Sequence, residues 1–495
     1  MSKIIIQNGN MCELDLPLKF AQKLYNEFAI RHPNAFYLRT RQRGMQNWDG
    51  KIHYITKTGQ FKIGLLPKVY DMCIEMGIKP KVVDMRQPLP KVSKVVTKIG
   101  KYKLRPEQEK AVKAVINNTI GGKPFHIGVL DYTVNAGKTL IMSSLYLSYK
   151  KQLKTLLITN DSDWLNQARE EFKQYLPGED ITFVQGKVLN WSNFTIGMVQ
   201  SISRNMRFYQ KELSQIDMVL IDEADQGGSR QYQNVITRLF NTRIRIGLSG
   251  TIYMSKLAKD KVKNMNLECF FGKVLAEFKL RDSIKKGYST KTVVKMVPGK
   301  PWYGNWESDC ISYKEIYDDS ITNSYTAWLM AYSRLRWNIN QGRYPALVVC
   351  KHIAHCENLY KFFKKKLGDA YNIAYVHVNT KSKLRQQIMK DFRDGKIDIL
   401  VSTTIIARGK NFPKLRYLLN AASMLSNEKT IQFLGRLVRT DSSKKKVYLD
   451  DLHYPGNYLD RHGKHRKQYY QRQELKVILL DKLWKKHPNH SLIQS

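Results

Sequence analysis

Eight short apolar runs set what this chain can fold into: His126–Leu130, Thr155–Thr159, Thr195–Val199, Met218–Ile221 and Ile244–Leu248, then Ala346–Cys350, Ile373–Val378 and Ile397–Ser402. Helix-length amphipathic segments separate them. A strand that is apolar at every position has no face for water, so it must be covered on both sides. Strands covered in this way and joined by helices form parallel sheets. The gap after Leu248 divides the runs into two groups and predicts two tandem α/β lobes. The 495 residues allow for this, since a domain takes about 150 residues. Two turn-rich breaks suggest the boundaries: the Pro/Lys-rich stretch 80–98, with Pro88 and Pro90, and Pro298-Gly299-Lys300-Pro301. The expected layout is therefore a small α+β domain over 1–95, a first lobe over 100–300, a second over 301–450 and a helical extension over 451–495. Within that extension, the apolar residues of Gln468–Lys486 read as one face of a helix packed on the second lobe, in preference to a membrane-surface helix.

The first apolar run leads into Asp131-Tyr-Thr-Val-Asn135-Ala136-Gly137-Lys138-Thr139 and then a helix-like Leu140–Tyr149. Strand, tight loop and helix start in that order form a phosphate cradle. Gly137 lets the backbone approach an anion, Lys138 can reach the outer phosphates, and the Thr139 hydroxyl can ligate Mg²⁺ beside the free N–H groups of the helix start. Tyr132 stands where the usual GxxxxGK[ST] pattern has its first glycine. Asn135, a residue that tolerates the left-handed conformation, keeps the loop feasible. The fourth run ends in Asp222-Glu223-Ala224-Asp225. Asp222 can hold Mg²⁺, and Glu223 can polarise a water aimed at the γ-phosphate. Farther along, Arg436 and Arg439 sit three apart on one helical face, and two planar forks there suit phosphate oxygens.

Composition bears on the partner. With 83 Lys+Arg against 42 Asp+Glu the formal charge is +41, which points to a polyanion. The excess is +10 over residues 1–100 and +14 over 341–450, but only +9 over 101–280. A nucleic acid is thus expected along the amino-terminal domain and the second lobe. Near the start, Arg39, Arg41, Arg43 and Lys51 surround Trp48, offering phosphate-seeking charge and one flat ring, although that tryptophan also fits a core position. The start of the chain lacks the pattern of a secretory leader, no run of 18 apolar residues occurs, and the six cysteines form no CxxC pair. The expectation is a cytoplasmic protein with no membrane partner, no disulfide and no zinc, and a monomer.

Taken in order, these residues resemble the superfamily-two helicases across roughly 103–450. Leu104–Gln108 resembles the family's adenine-sensing element, with Gln108 facing the base. Thr133–Thr139 matches motif I, with Asn135, Ala136 and Gly137 lining the nucleotide, and Leu157–Gln167 matches motif Ia. Asp222–Asp225 is motif II in its Asp-Glu-Ala-Asp form, and Ser249-Gly250-Thr251 resembles motif III. Leu347–His352 looks like motif IV. Motif V falls at Ser402–Asn411, where Thr403 is a candidate contact to the nucleic-acid backbone and Gly409 a nucleotide contact; Asn411 stands where Asp is frequent. Motif VI falls at Gln432–Arg439, with Gln432, Arg436 and Arg439 in catalytic positions. The segment Arg41–Ile52, together with Gly64–Pro67 and Phe270–Gly272, resembles the phage UvsW-type helicases more closely. That resemblance implies ATP and Mg²⁺ as cofactors. It also implies single- or double-stranded branched DNA, or RNA–DNA hybrid, as partner, in replication, recombination or repair. Two other outputs fit the same residues: a restriction or defence translocase subunit, and a clamp that binds without hydrolysis.

Overall fold

The computed structural model describes residues 2–41, 44–149, 152–186, 188–252, 258–299, 312–407, 412–424, 433–435, 437–438, 440, 444–454 and 457–480. It divides into two compact units, 1–278 and 279–495.

Besides three two-stranded pairs, the first unit holds two larger sheets on one continuous core. The smaller is four-stranded in the order Gln60–Lys62, Met11–Asp15, Lys3–Ile6, Lys81–Asp84, with helices Leu18–Glu27 and Leu66–Glu75 nearby. The stretch expected to be a linker from Pro80 therefore begins with this sheet's fourth strand. The larger sheet has eight strands in the order Val188–Leu189, Ile181–Gln185, Phe194–Met198, Thr155–Thr159, Met218–Asp222, Ile244–Ser249, His126–Tyr132, Val274–Phe278. All its pairs are parallel except the short first strand. The strands expected from the apolar runs are present here and buried along most of their length.

Residues 1–95 do not stand apart from this lobe. Ile4, Ile6, Leu65 and Val69 share one apolar cluster with Ile127, Ile158, Val219 and Phe271. Backbones meet closely at two glycines: a methyl group on Gly9 would lie 2.5–2.9 Å from the carbonyl oxygens of Leu239, Phe240 and Thr242, and one on Gly64 would collide with the backbone of Glu268 and Cys269. Arg245, fully buried, donates to the carbonyls of Gly9 at 2.6 Å and Phe270 at 3.2 Å and to Asn10 Oδ1 at 2.8 Å. Burial lowers its pKa to about 9.

The second unit is a seven-stranded, wholly parallel sheet in the order Ile373–Val376, Ile399–Thr403, Ala346–Cys350, Tyr417–Asn420, Lys446–His453, Lys291–Pro298, Lys476–Leu479. Helices Tyr325–Asn340, Ile353–Leu367, Ser382–Asp394 and Asn457–Arg472 connect these strands or follow them. Two expectations are corrected here. The boundary falls at Phe278/Lys279, not after residue 300, because Lys291–Pro298 pairs along its whole length with Lys446–His453. The tail is helical over Asn457–Arg472, but the apolar run beyond it is a strand over Lys476–Leu479 that pairs with Val293–Met296. Among the described residues no helix is long and apolar enough to cross a membrane, and none of the described cysteines is disulfide-bonded.

Candidate active site

In a parallel sheet the loops after the strands collect at one edge. The loops following Tyr132, Thr159, Asp222 and Ser249 therefore share an edge of the first unit's large sheet. At that edge Asn135 has φ +62° and Gly137 φ +72°, so the left-handed turn expected of Asn135 is present. The helix Lys138–Ser148 opens directly after Gly137. Lys138 and Thr139 are half-buried, and Ala136 is buried.

Gln108, 2% exposed, braces this loop. Its Nε2 donates to the Ala136 carbonyl at 2.8 Å, and its Oε1 accepts from the backbone N–H of Arg105 at 2.8 Å. One amide hydrogen and one lone pair remain for a base edge. A methyl group on Gly137 would collide with that carboxamide, so glycine is needed both for its φ and for the brace. Arg105 adds a contact from its guanidinium to the Asn135 carbonyl at 3.4 Å.

The carboxylates lie opposite. Asp222 ends its strand 5% exposed, and its Oδ1 has no hydrogen-bond partner among the described residues. Burial raises its pKa, while Lys138 pulls it down. Glu223 sits at φ +54°, a strained conformation for a side chain of that size. Burial, reinforced by the charges of Asp222, Asp225 and Asp161, pushes its pKa up to about 8. A buried carboxylate oxygen without a partner among the described residues, close enough to Lys138 to feel its charge and on the same sheet edge as the loop that carries Thr139, suits Mg²⁺ together with phosphate oxygens.

Two features were not foreseen from the sequence. Asp161 contributes a further negative charge to Asp222 and Glu223; its signal was a carboxylate two residues past an apolar run. Asp225 accepts from Ser249 Oγ at 2.7 Å, Ser249 meets Thr251 Oγ1 at 2.9 Å, and a methyl group on Gly250 would lie 3.1 Å from Thr133 Cα. The acidic segment, the Ser249–Thr251 turn and the start of the phosphate loop are thus in mechanical contact.

The remaining expected residues lie elsewhere. Arg41, Trp48 and Lys51 belong to the amino-terminal part. Trp48 is half-buried and its indole N–H donates to the Lys51 carbonyl at 2.9 Å, so it holds a turn; it is neither a core ring nor an open stacking platform. Thr403 ends its strand in the second unit, 6% exposed. Arg43, Gly409, Gln432, Arg436 and Arg439 fall outside the described residues.

A braced phosphate loop with acidic residues on a nearby strand, in a chain that holds a second parallel sheet, defines the class of tandem RecA-like folds. Residues 101–254 match the family described as type III restriction enzyme, res subunit, and residues 331–441 match the helicase conserved C-terminal domain. Between them the matches account for just over half of the chain, and the chain belongs to the superfamily-two helicases. It is similar to the ATP-dependent DNA helicase uvsW of Enterobacteria phage T4, 21% identical over 88% of this chain and 90% of that protein. It is also similar to the helicase IRC3 of Saccharomyces cerevisiae, 24% identical over 70% of this chain; it spans 51%, about half, of that relative's length. Among solved structures, its fold is like that of the type ISP restriction-modification enzyme LlaBIII bound to DNA, with 12% identity, a TM-score of 0.56, and coverage of 83% of this chain and 34% of that one. S. cerevisiae Dbp5 bound to RNA and ADP BeF3 has the same fold, with 13% identity, a TM-score of 0.51, and coverage of 78% and 91%.

Proposed function

We propose that the chain is an ATP-driven DNA translocase that unwinds or branch-migrates forks, junctions and RNA–DNA hybrids. The observation that carries the hydrolytic part is the buried, unpartnered Asp222 oxygen next to Lys138. A carboxylate held dry at a cost of several kcal/mol is expected where a cation and phosphates complete it. The DNA part is supported by the +41 charge and by the similarity, over most of both chains, to a protein named a DNA helicase.

In this reading Lys138 and the amides at the helix start bind the outer phosphates, while Thr139 and Asp222 supply the metal ligands. Mg²⁺ held there would supply positive charge that offsets the phosphates and favours the ionised form of the Glu223 carboxyl. Glu223 then orients the attacking water and accepts its proton, and Arg436 and Arg439 stabilise charge on the leaving phosphates. Gln108 and Arg105 hold the loop against the nucleotide. The Asp225–Ser249 contact passes the state of the acidic segment to the turn at Thr251. The basic stretches at 1–100 and 341–450 form the nucleic-acid path, with Thr403 on the backbone, and binding weakens steeply with salt.

Lys138→Ala and Glu223→Gln should each lower DNA-stimulated ATP hydrolysis by about 10²–10⁴-fold. Normal turnover in both would overturn the assignment. Labelled forks, four-way junctions and RNA–DNA hybrids incubated with ATP then rank the substrates, and strand displacement on none of them would remove the helicase part of the reading.

A further inference from the structure

In the first unit a short helix, Ala35–Arg41, lies between the antiparallel strands Ala29–Arg31 and Lys51–His53. Its apolar residues face the wrong way for a core. Phe36 is 80% exposed and Tyr37 53%, while Ala35 is buried. The base beneath them is firm. The His32 N–H donates to the Gly50 carbonyl at 2.8 Å, and a methyl group on Gly50 would lie 3.1 Å from Ala35 Cβ. The Trp48 ring meets His32 edge-on at 5.8 Å, and Asp49 holds His53, itself stacked on Tyr25 at 4.0 Å. The two rings are therefore presented to solvent by a fixed frame.

The charges around them are one-sided. Arg31 lies directly opposite Lys51 in the strand pair, both exposed, and like charges in that relation repel. Arg39 and Arg41 are exposed on the helix, and the Arg41 guanidinium rests over the Tyr37 ring at 4.8 Å. Asp49 is the one acidic residue of 29–53, and it is engaged by His53 and the Lys51 N–H. Exposed rings and a repelling cationic frame are two costs that a single kind of occupant relieves, one that offers phosphates and a flat apolar face together.

We propose that residues 29–53 read DNA junctions: Phe36, flanked by Tyr37, stacks on the bared face of the base where strands part, while Arg31, Arg39, Arg41 and Lys51 hold the neighbouring phosphates. Inside a continuous duplex both faces of every base are already stacked, so a ring at the tip of a helix finds a free face only at a branch or an end. The cations bind any duplex; the ring selects the branch. This inference rests on the reading of the chain as a motor on branched DNA.

The test uses full-length protein without nucleotide and a DNA fork carrying 2-aminopurine at the junction nucleotide. Wild type should quench the probe. Phe36→Ala should abolish the quench and weaken fork binding about tenfold, within the range of one base–aromatic stack. It should leave affinity for a duplex closed by hairpin loops at both ends, which has neither branch nor free end, and the thermal midpoint unchanged, and Phe36→Trp should restore both junction signals. Retained quench and fork affinity in Phe36→Ala, or an equal loss on forks and capped duplex, overturns the inference. The two readings fail separately: a Phe36-dependent quench in a protein without DNA-stimulated ATPase would remove the motor and keep the junction reader, and the reverse result would do the opposite.

Discussion

Asp222 in the first unit and Asp451 in the second are both buried at sheet strands, 5% and 0% exposed, yet they are treated in opposite ways. Asp451 is saturated: Arg466 grips it with Nε at 2.9 and 3.0 Å and Nη2 at 2.7 Å, Asn420 adds a bond at 3.1 Å, and the Tyr470 hydroxyl adds one at 2.7 Å. Asp222 keeps an oxygen without a partner among the described residues. A buried carboxylate whose lone pairs are all taken is a clamp, here tying the helix Asn457–Arg472 to the strand Lys446–His453. An open oxygen is not by itself a site, since Asp450 Oδ1 is also without a partner among the described residues; Asp222 differs in facing the charge of Lys138 at the phosphate loop, which suits the receptor role proposed for it.

The comparison breaks most visibly at its two ends. Asp222→Asn should cut DNA-stimulated hydrolysis by about 10²–10³-fold while leaving the metal-free thermal midpoint equal or higher, because a desolvated charge has been removed. Arg466→Met should do the reverse, lowering stability by about 3–5 kcal/mol by stranding Asp451. Replacing both partners, Asp451→Leu with Arg466→Met, should recover part of that loss. A denaturation series with parallel ATPase assays checks all three, and an Asp222→Asn protein that is destabilised as much as Arg466→Met would erase the distinction.

A smaller effect separates the units by pH. Glu223, at about 8 in the metal-free fold, is raised above its unfolded value of about 4.3. The folded state holds that proton more tightly, so the contribution is complete below about pH 4.3 and is lost as pH rises through about 8. His355 in the second unit, buried against the Tyr317 hydroxyl at 3.2 Å, is depressed by burial to about 3, and His462 by burial to about 4. Their contribution is complete above about pH 6.5 and is lost as pH falls through about 4 and then about 3. Melts in chelator across pH 4–9 should show Glu223→Gln flattening the alkaline side and leaving the acid side unchanged. An unaltered alkaline limb would place the proton elsewhere.

The difference between the two aspartates also explains what the sequence could reveal. The strands Met218–Asp222 and His126–Tyr132 were legible because burial on both faces leaves an uninterrupted apolar run, and the phosphate loop because Asn135, Gly137 and Lys138 each suit one local task. Lys446–His453 was not recognised as a strand. Its Asp450-Asp451 pair looks like surface until Arg334, 116 residues away, and Arg466, 15 away, are brought onto it. Lys291–Pro298 was misassigned for a related reason: its partners on either side come from beyond residue 445. The run Lys476–Leu479 is apolar over too few residues for periodicity to separate a strand from a helix. The fusion of residues 1–95 with the first lobe depends on backbone approach at Gly9 and Gly64, and glycine content alone carries no address for the backbone it will meet.

The finest test of the comparison is Ser249. Its hydroxyl donates to Asp225 at 2.7 Å and lies 2.9 Å from Thr251 Oγ1, so it joins the open carboxylate cluster to the turn packed against Thr133. If that cluster is a receptor whose state is passed on, Ser249→Ala should cost only about 0.5–1.5 kcal/mol of stability, the worth of an ordinary hydrogen bond. Basal hydrolysis should be nearly unchanged, while its stimulation by DNA should fall several-fold. ATPase assays with and without saturating DNA separate the two quantities. Equal loss of basal and stimulated rates would mean that the serine merely supports Asp225, and the acidic segment of the first unit would then resemble the Asp451 clamp more closely than its unpartnered oxygen suggests.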